Sequence, residues 1–159
     1  MIRYPARIAL LVLCAAALAK PALADIAAMG RLTKAMVLEA AGYYRSVSFD
    51  EAVTAFSDLE SERWLRQPFH LHMFGMRADG MVWADNIFHE LVGVDFSQVF
   101  DLEGVQFGKQ ILERTAETTE PVTIQIRFLS PATGNETISV GSCMRPEPEN
   151  VLCSWSELE

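Results

Sequence analysis

Between Phe69 and Asp85 the chain is apolar at most positions on either side of the turn dipeptide Asp79-Gly80. In the first run His70, His72, Phe74 and Met76 alternate with Phe69, Leu71, Met73 and Gly75, so strand geometry sends the two sets to opposite faces. Neither set is polar throughout. A strand of this kind is covered on both sides, and with the second run it forms a hairpin predicted to be the centre of a sheet. Leu71, Met73 and Gly75 are expected to meet a helix, with Gly75 permitting close approach.

Upstream, Met29, Leu32, Met36 and Tyr43 recur at helical spacing among Ala35, Ala40 and Ala41, which predicts a long amphipathic helix over 26–45. A second helix is expected over 49–56, capped by Ser48 or Asp50, with Glu51 in the favoured acidic first turn. Residues 57–68 form a polar connection. After the hairpin, 86–104 is irregular, and so long a loop in a small domain often walls a site. A third helix is expected over 105–118, followed by strands over 121–129, 136–143 and 151–156. The strand at 121–129 has the cleanest alternation in the chain, and the turns contain Ser130-Pro131 and Pro146 and Pro148. The predicted class is α+β, with a five-stranded antiparallel sheet.

The first residues change the picture of where the protein works. Arg3 and Arg7 precede a twelve-residue apolar run, Ile8 to Ala19, and Ala22-Leu23-Ala24 provides a small-residue cleavage pattern before Asp25. Twelve residues fall short of the ~20 a membrane-spanning helix requires. Residues 1–24 are expected to be an export signal and 25–159 a single domain, with retention as an uncleaved anchor the alternative. Leu13 before Cys14 argues against a lipoprotein. The location implied is periplasmic or secreted. Cleavage removes three basic residues and no acidic one, so the formal charge of −8 becomes −11, a surface that repels phosphate backbones and disfavours nucleic acid as a partner. It also leaves Cys143 and Cys153 flanking the Pro146 and Pro148 turn, where a turn near Pro148 sets them opposite each other across two strands. A disulfide between them is expected, since the alternative of two free thiols suits export poorly.

The order of these elements and their residues resembles the periplasmic single Cache domains, PAS-like small-molecule sensors. The resemblance is carried by Ala40-Ala-Gly-Tyr-Tyr44 running into Ala52–Asp58, by Phe74–Ala84 followed by Asp85, and by Leu91-Val-Gly93. It continues through Asp101–Phe107 and Ser130-Pro-Ala-Thr-Gly134, so it covers nearly the whole chain after residue 24. It implies a helix on one face of the sheet and a ligand pocket on the other. The pocket residues it implies are His72, Phe74 and Met76 from the first strand, Trp83 and Asp85 from the second, and Phe128 and Ser139 from the next two. A small organic molecule is the expected ligand and a membrane-bound signalling protein the expected partner. The protein would then be an exported, stand-alone accessory sensor. A ligand-free interaction module, dimerising through helix 26–45, is the alternative.

The candidate chemistry narrows this further. His70 and His72 share a face at a spacing that suits two metal ligands, with Asp85 or His89 as a third, but no Cys or Glu spacing completes a structural metal set and no metal is expected. No cofactor and no catalytic residue is expected either: the chain lacks G-x-S-x-G, H-E-x-x-H and a glycine-rich phosphate loop. Arg127, the nearby cation for a carboxylate ligand, has the opposite parity to Phe128. That points away from an organic acid, towards a neutral ligand or a filled pocket.

Overall fold

The computed structural model describes residues 21–130 and 134–158. The chain runs α1 (Pro21–Tyr44), α2 (Phe49–Phe56), β1 (His72–Arg77), β2 (Val82–Asp85), α3 (Phe107–Ala116), β3 (Val122–Leu129), β4 (Glu136–Glu147) and β5 (Asn150–Leu158). Two 3-10 turns, His89–Leu91 and Phe96–Gln98, interrupt the segment between β2 and α3. All strands pair antiparallel in the order β2-β1-β5-β4-β3. This is the α+β architecture expected, with one correction. The hairpin is not central, because the C-terminal strand β5 inserts between β1 and β4 and leaves β2 at the edge.

The expected signal segment lies outside the described residues except for its last four, and α1 runs through the expected cleavage point after Ala24. No helix among the described residues is long and apolar enough to cross a membrane. Met36, Val37, Ala40, Ala41 and Tyr44 form the buried stripe of α1, at the three- and four-residue spacing of one helix face. Leu32, expected in that stripe, is 37% exposed, and Thr33 is buried instead, its Oγ1 lying 2.9 Å from Ser142 Oγ on β4. A polar pair at this helix–sheet contact displaces the apolar residue from the face. The cap of α2 is Ser48: its hydroxyl accepts from Glu51 N–H at 3.3 Å, and Glu51 Oε2 accepts from Ser48 N–H at 2.9 Å, a reciprocal capping box.

The sheet separates two apolar clusters. On the α1 side Met73, Trp83, Met144 and Leu152 pack with Phe56 and Trp64; on the other Phe74, Met76, Ile124, Ile126 and Trp155 pack with Phe96, Phe107 and Ile111. Cys143 and Cys153 are register partners on the second side and form a disulfide, their Cα atoms 4.0 Å apart. Closing that short loop stabilises by about 2–3 kcal/mol in the chain-entropy model.

The segment between β2 and α3 straps the second side. It first runs beside β2, with hydrogen bonds from Val82 N to Val94 O at 3.0 Å and from Phe96 N to Gly80 O at 2.9 Å. It then reaches the opposite edge, where Leu102 N donates to Arg127 O of β3 at 2.9 Å. Arg145 of β4 fastens α3 by donating to Leu112 O at 2.9 Å and to Thr115 Oγ1 at 3.3 Å. The strap thus passes from one sheet edge to the other without filling the space beneath it.

Candidate functional site

Under the strap lies a cavity of 260 Å³, on the face of the sheet turned away from α1. Its floor is set by alternation. His72 and Phe74 on β1, Ile126 and Phe128 on β3, Ser139 on β4, and Trp155 and Glu157 on β5 all line it. Phe88, Leu91, Phe96, Val99 and Phe100 from the strap, with Phe107 at the start of α3, supply the roof. Phe96 stacks obliquely on Phe74 at 4.6 Å between centroids and edge-on against Phe107 at 5.0 Å, so floor and roof meet through aromatic rings.

Three polar side chains are buried in this apolar shell: His72, Asp85 and Ser139, whose hydroxyl donates to Ser156 O at 3.0 Å. His72 is 5% exposed, with Nδ1 3.3 Å from His70 O and its ring edge-on to Phe88. Because a carbonyl only accepts, that contact places the proton on Nδ1 and makes Nε2 an acceptor. Burial pushes the imidazole pKa below its ordinary value, against the opposing pull of Asp85. Asp85, 1% exposed, is held by N–H donors from Ile87 at 2.8 Å and Phe88 at 2.7 Å, both on Oδ1. Burial raises its carboxyl above the usual range, while His72 and the two N–H donors pull the other way.

Of the seven residues expected at the pocket, His72, Phe74, Asp85, Phe128 and Ser139 line the cavity. Met76 shares their face but is packed into the core and does not line it. Trp83 requires a correction. Phe74 pairs with Asp85, Gly75 with Ala84 and Met76 with Val82, so Trp83 is a surplus residue in β2. This β-bulge breaks the alternation and turns Trp83, with Ala84, to the α1 side. There its ring lies among Tyr44, Phe49 and Phe56 and over Gly75, where a Cβ would come within 2.5 Å of the indole. Gly75 therefore permits close approach of Trp83 and not of the helix.

His70 is the second correction. Its φ of 45° and the Arg66–Leu71 bridge place it in a turn before β1, so it is exposed and does not share a face with His72. His89 is on the surface with Nε2 2.8 Å from Ser57 O. No group of three His, Cys, Asp or Glu suited to a metal occurs among the described residues. Arg127 points away from the cavity, into ion pairs with Glu103 at 3.2 Å and with Glu136.

A wider crevice of 680 Å³ lies between the start of α1, residues 68–70 and the ends of β3 to β5. Its polar residues, among them Asp25, His70, Arg127 and Glu136, are all exposed or half-exposed, so it carries no buried recognition group. The residues that sequence reasoning missed are mostly roof residues, which no periodicity assigns. Trp155 and Glu157 were accessible to it, since each continues the alternation of Cys153.

The backbone of this helix–sheet fold is similar to solved structures of sensor domains. The fold is that of a Cache domain. A methyl-accepting chemotaxis protein from Vibrio parahaemolyticus superposes with a TM-score of 0.65 at 14% identity, over 84% of this chain and 90% of that one. The periplasmic sensor domain of a chemotaxis protein gives 0.58 at 17% identity, over 86% and 94%. A Cache chemosensory domain characterised for carboxylic acid recognition gives 0.60 at 12% identity, over 86% and 92%. No family model and no curated protein matches the sequence. The Cache likeness therefore rests on backbone geometry.

Proposed function

We propose that this is an extracytoplasmic sensor domain that binds a small organic molecule in the strapped cavity and reports its presence to a membrane signalling partner. The observation that carries the reading is the cavity itself: a half-open, largely apolar space with three buried polar side chains, in a fold whose neighbours are chemotaxis sensors. The reading is of binding and not catalysis: the hydroxyl in the lining, Ser139, donates to the backbone carbonyl of Ser156 at 3.0 Å and not to a base. The carboxylic acids recognised by one structural neighbour are poor candidates here, since no lysine or arginine among the described residues lines the cavity.

A thermal-shift screen against small amines, acids, amino acids and neutral metabolites tests the reading, run in parallel on a Val99→Trp variant that fills the cavity. Hits on the parent protein that vanish in a folded V99W variant are expected. Hits that persist unchanged in V99W, or a parent protein that responds to nothing, overturn it. The alternative of dimerisation through helix 26–45 rests on the outer side of α1, where Leu32 and Leu38 are exposed among charged residues. That is a narrow apolar strip, and sedimentation velocity measures it directly.

A further inference from the structure

The sensor reading leaves open what class of molecule the cavity takes, and the charges around it are one-sided. Asp85, Glu90 and Glu157 line it, together with His72, and among the described residues no lysine or arginine does. The cation nearest in sequence to the wall, Arg127, is neutralised outside by Glu103 and Glu136.

Asp85 is the built element of the site. Both backbone N–H donors fall on Oδ1, so the carboxylate is fixed in orientation, and Oδ2 has no protein donor among the described residues although the residue is 1% exposed. A carboxylate in so buried a residue gains from a partner for its second oxygen. Beside it, Nε2 of His72 is an acceptor by the tautomer that His70 O selects. The rings of Phe88, Phe96 and Trp155 line the same cavity, and aromatic faces attract a desolvated cation.

We propose that the cavity selects a small organic cation, an alkyl or aralkyl ammonium, with its N–H groups directed at Asp85 Oδ2 and His72 Nε2 and its carbon skeleton among the aromatic rings. An ammonium has three donors and no acceptor, the complement of two unpaired acceptors. It also stabilises the Asp85 carboxylate that burial disfavours. A carboxylate in the same position would face Asp85, Glu90 and Glu157 in a medium where like charges repel strongly and would bring no donor to either acceptor. At 260 Å³ the space lies just under the usual ~300–1,000 Å³ of ligand sites, so the skeleton is short.

This inference rests on the sensor reading, and calorimetric titration of the purified, disulfide-bonded protein separates the two. The probes are butylammonium, butyrate and 1-butanol, which share a skeleton and differ in charge. Butylammonium is expected to bind about tenfold or more tightly than either of the others. Asp85→Asn, which keeps the Oδ1 acceptor and removes the charge, is expected to lose that margin; Glu157→Gln, at the half-exposed rim, is expected to lose a smaller part and guards against a misfolded first variant. Butyrate or butanol binding as well as the amine overturns the cation assignment and leaves the sensor reading standing. So does an amine preference that survives both substitutions in folded protein. If all three fail while another compound in the screen binds in a V99W-sensitive way, the cation assignment alone falls; if nothing binds at all, both do.

Discussion

The two faces of the sheet are built on the same device and put to different use. On each, a tryptophan lies flat over a glycine of the neighbouring strand: Trp83 over Gly75 on the α1 side, Trp155 over Gly141 on the cavity side. Trp83 is then enclosed by Tyr44, Phe49 and Phe56, with its indole N–H buried and unpartnered, and the face is closed. Trp155 meets Phe107 edge-on at 6.3 Å and otherwise borders open space. The lesson is that a cavity is made by what covers the sheet. A helix seats its side chains continuously along a face, whereas a strap fixed at the two sheet edges spans the middle.

Truncation of an aromatic residue on each face should expose this difference most strongly. Phe56→Ala, in the closed layer, is expected to lose roughly 3–5 kcal/mol in urea unfolding, because Tyr43, Trp64 and Trp83 cannot all relax into the hole. Phe96→Ala, at the cavity roof, is expected to lose less, since the void it enlarges already exists. Equal losses would mean that the strap side is as tightly packed as the helix side.

Adding one carbon sharpens the comparison at a smaller scale. A Cβ on Gly75 would come within 2.5 Å of Trp83, and one on Gly141 within 2.3 Å of Trp155, so both Gly→Ala changes overpack. Gly75→Ala is expected to cost about 1–3 kcal/mol, because Trp83 has nowhere to go. Gly141→Ala should cost less in stability, because Trp155 can tip into the cavity, and should weaken ligand binding instead. Chemical denaturation and titration of both variants check the pair, and a Gly141→Ala protein with unaltered binding would remove Trp155 from the site.

The smallest expected effect is in the pH dependence. Burial lowers the His72 pKa from its ordinary 6.5, so below pH 6.5 the unfolded chain takes up a proton that the native state refuses, and stability falls with acidification until the lowered value is passed. Asp85 works in the opposite sense: its carboxyl is raised above 3.8, and stability is regained as the pH falls through the raised value. His72→Gln is therefore expected to flatten the decline just below pH 6.5, read as Tm against pH. An unchanged profile would mean that His72 is hydrated and not enclosed.

Much of this was legible in the chain. Alternation located the five strands and set Cys143 opposite Cys153, and the family resemblance implied His72, Phe74, Phe128 and Ser139 on the face where the cavity lies. What escaped has identifiable physical causes. Insertion of β5 beside β1 is a long-range pairing with no local signature, so the hairpin was expected at the centre and lies at the edge. The roof over the cavity comes from a segment without period. His70 was misassigned because alternation ends at a left-handed turn, and Trp83, implied at the pocket by the resemblance, is turned to the other face by one surplus residue.

That surplus residue makes β2 tolerant of a change in length. Loss of either Trp83 or Ala84 would leave one residue between Val82 and Asp85, and both would still point to the cavity across from Met76 and Phe74. Loss of one residue within β5 would instead exchange the sides of Trp155 and Ser154 and bring a hydroxyl to the cavity floor in place of an indole. Within one sheet, a deletion in the edge strand is a change of packing, and a deletion in the central strand turns the protein inside out.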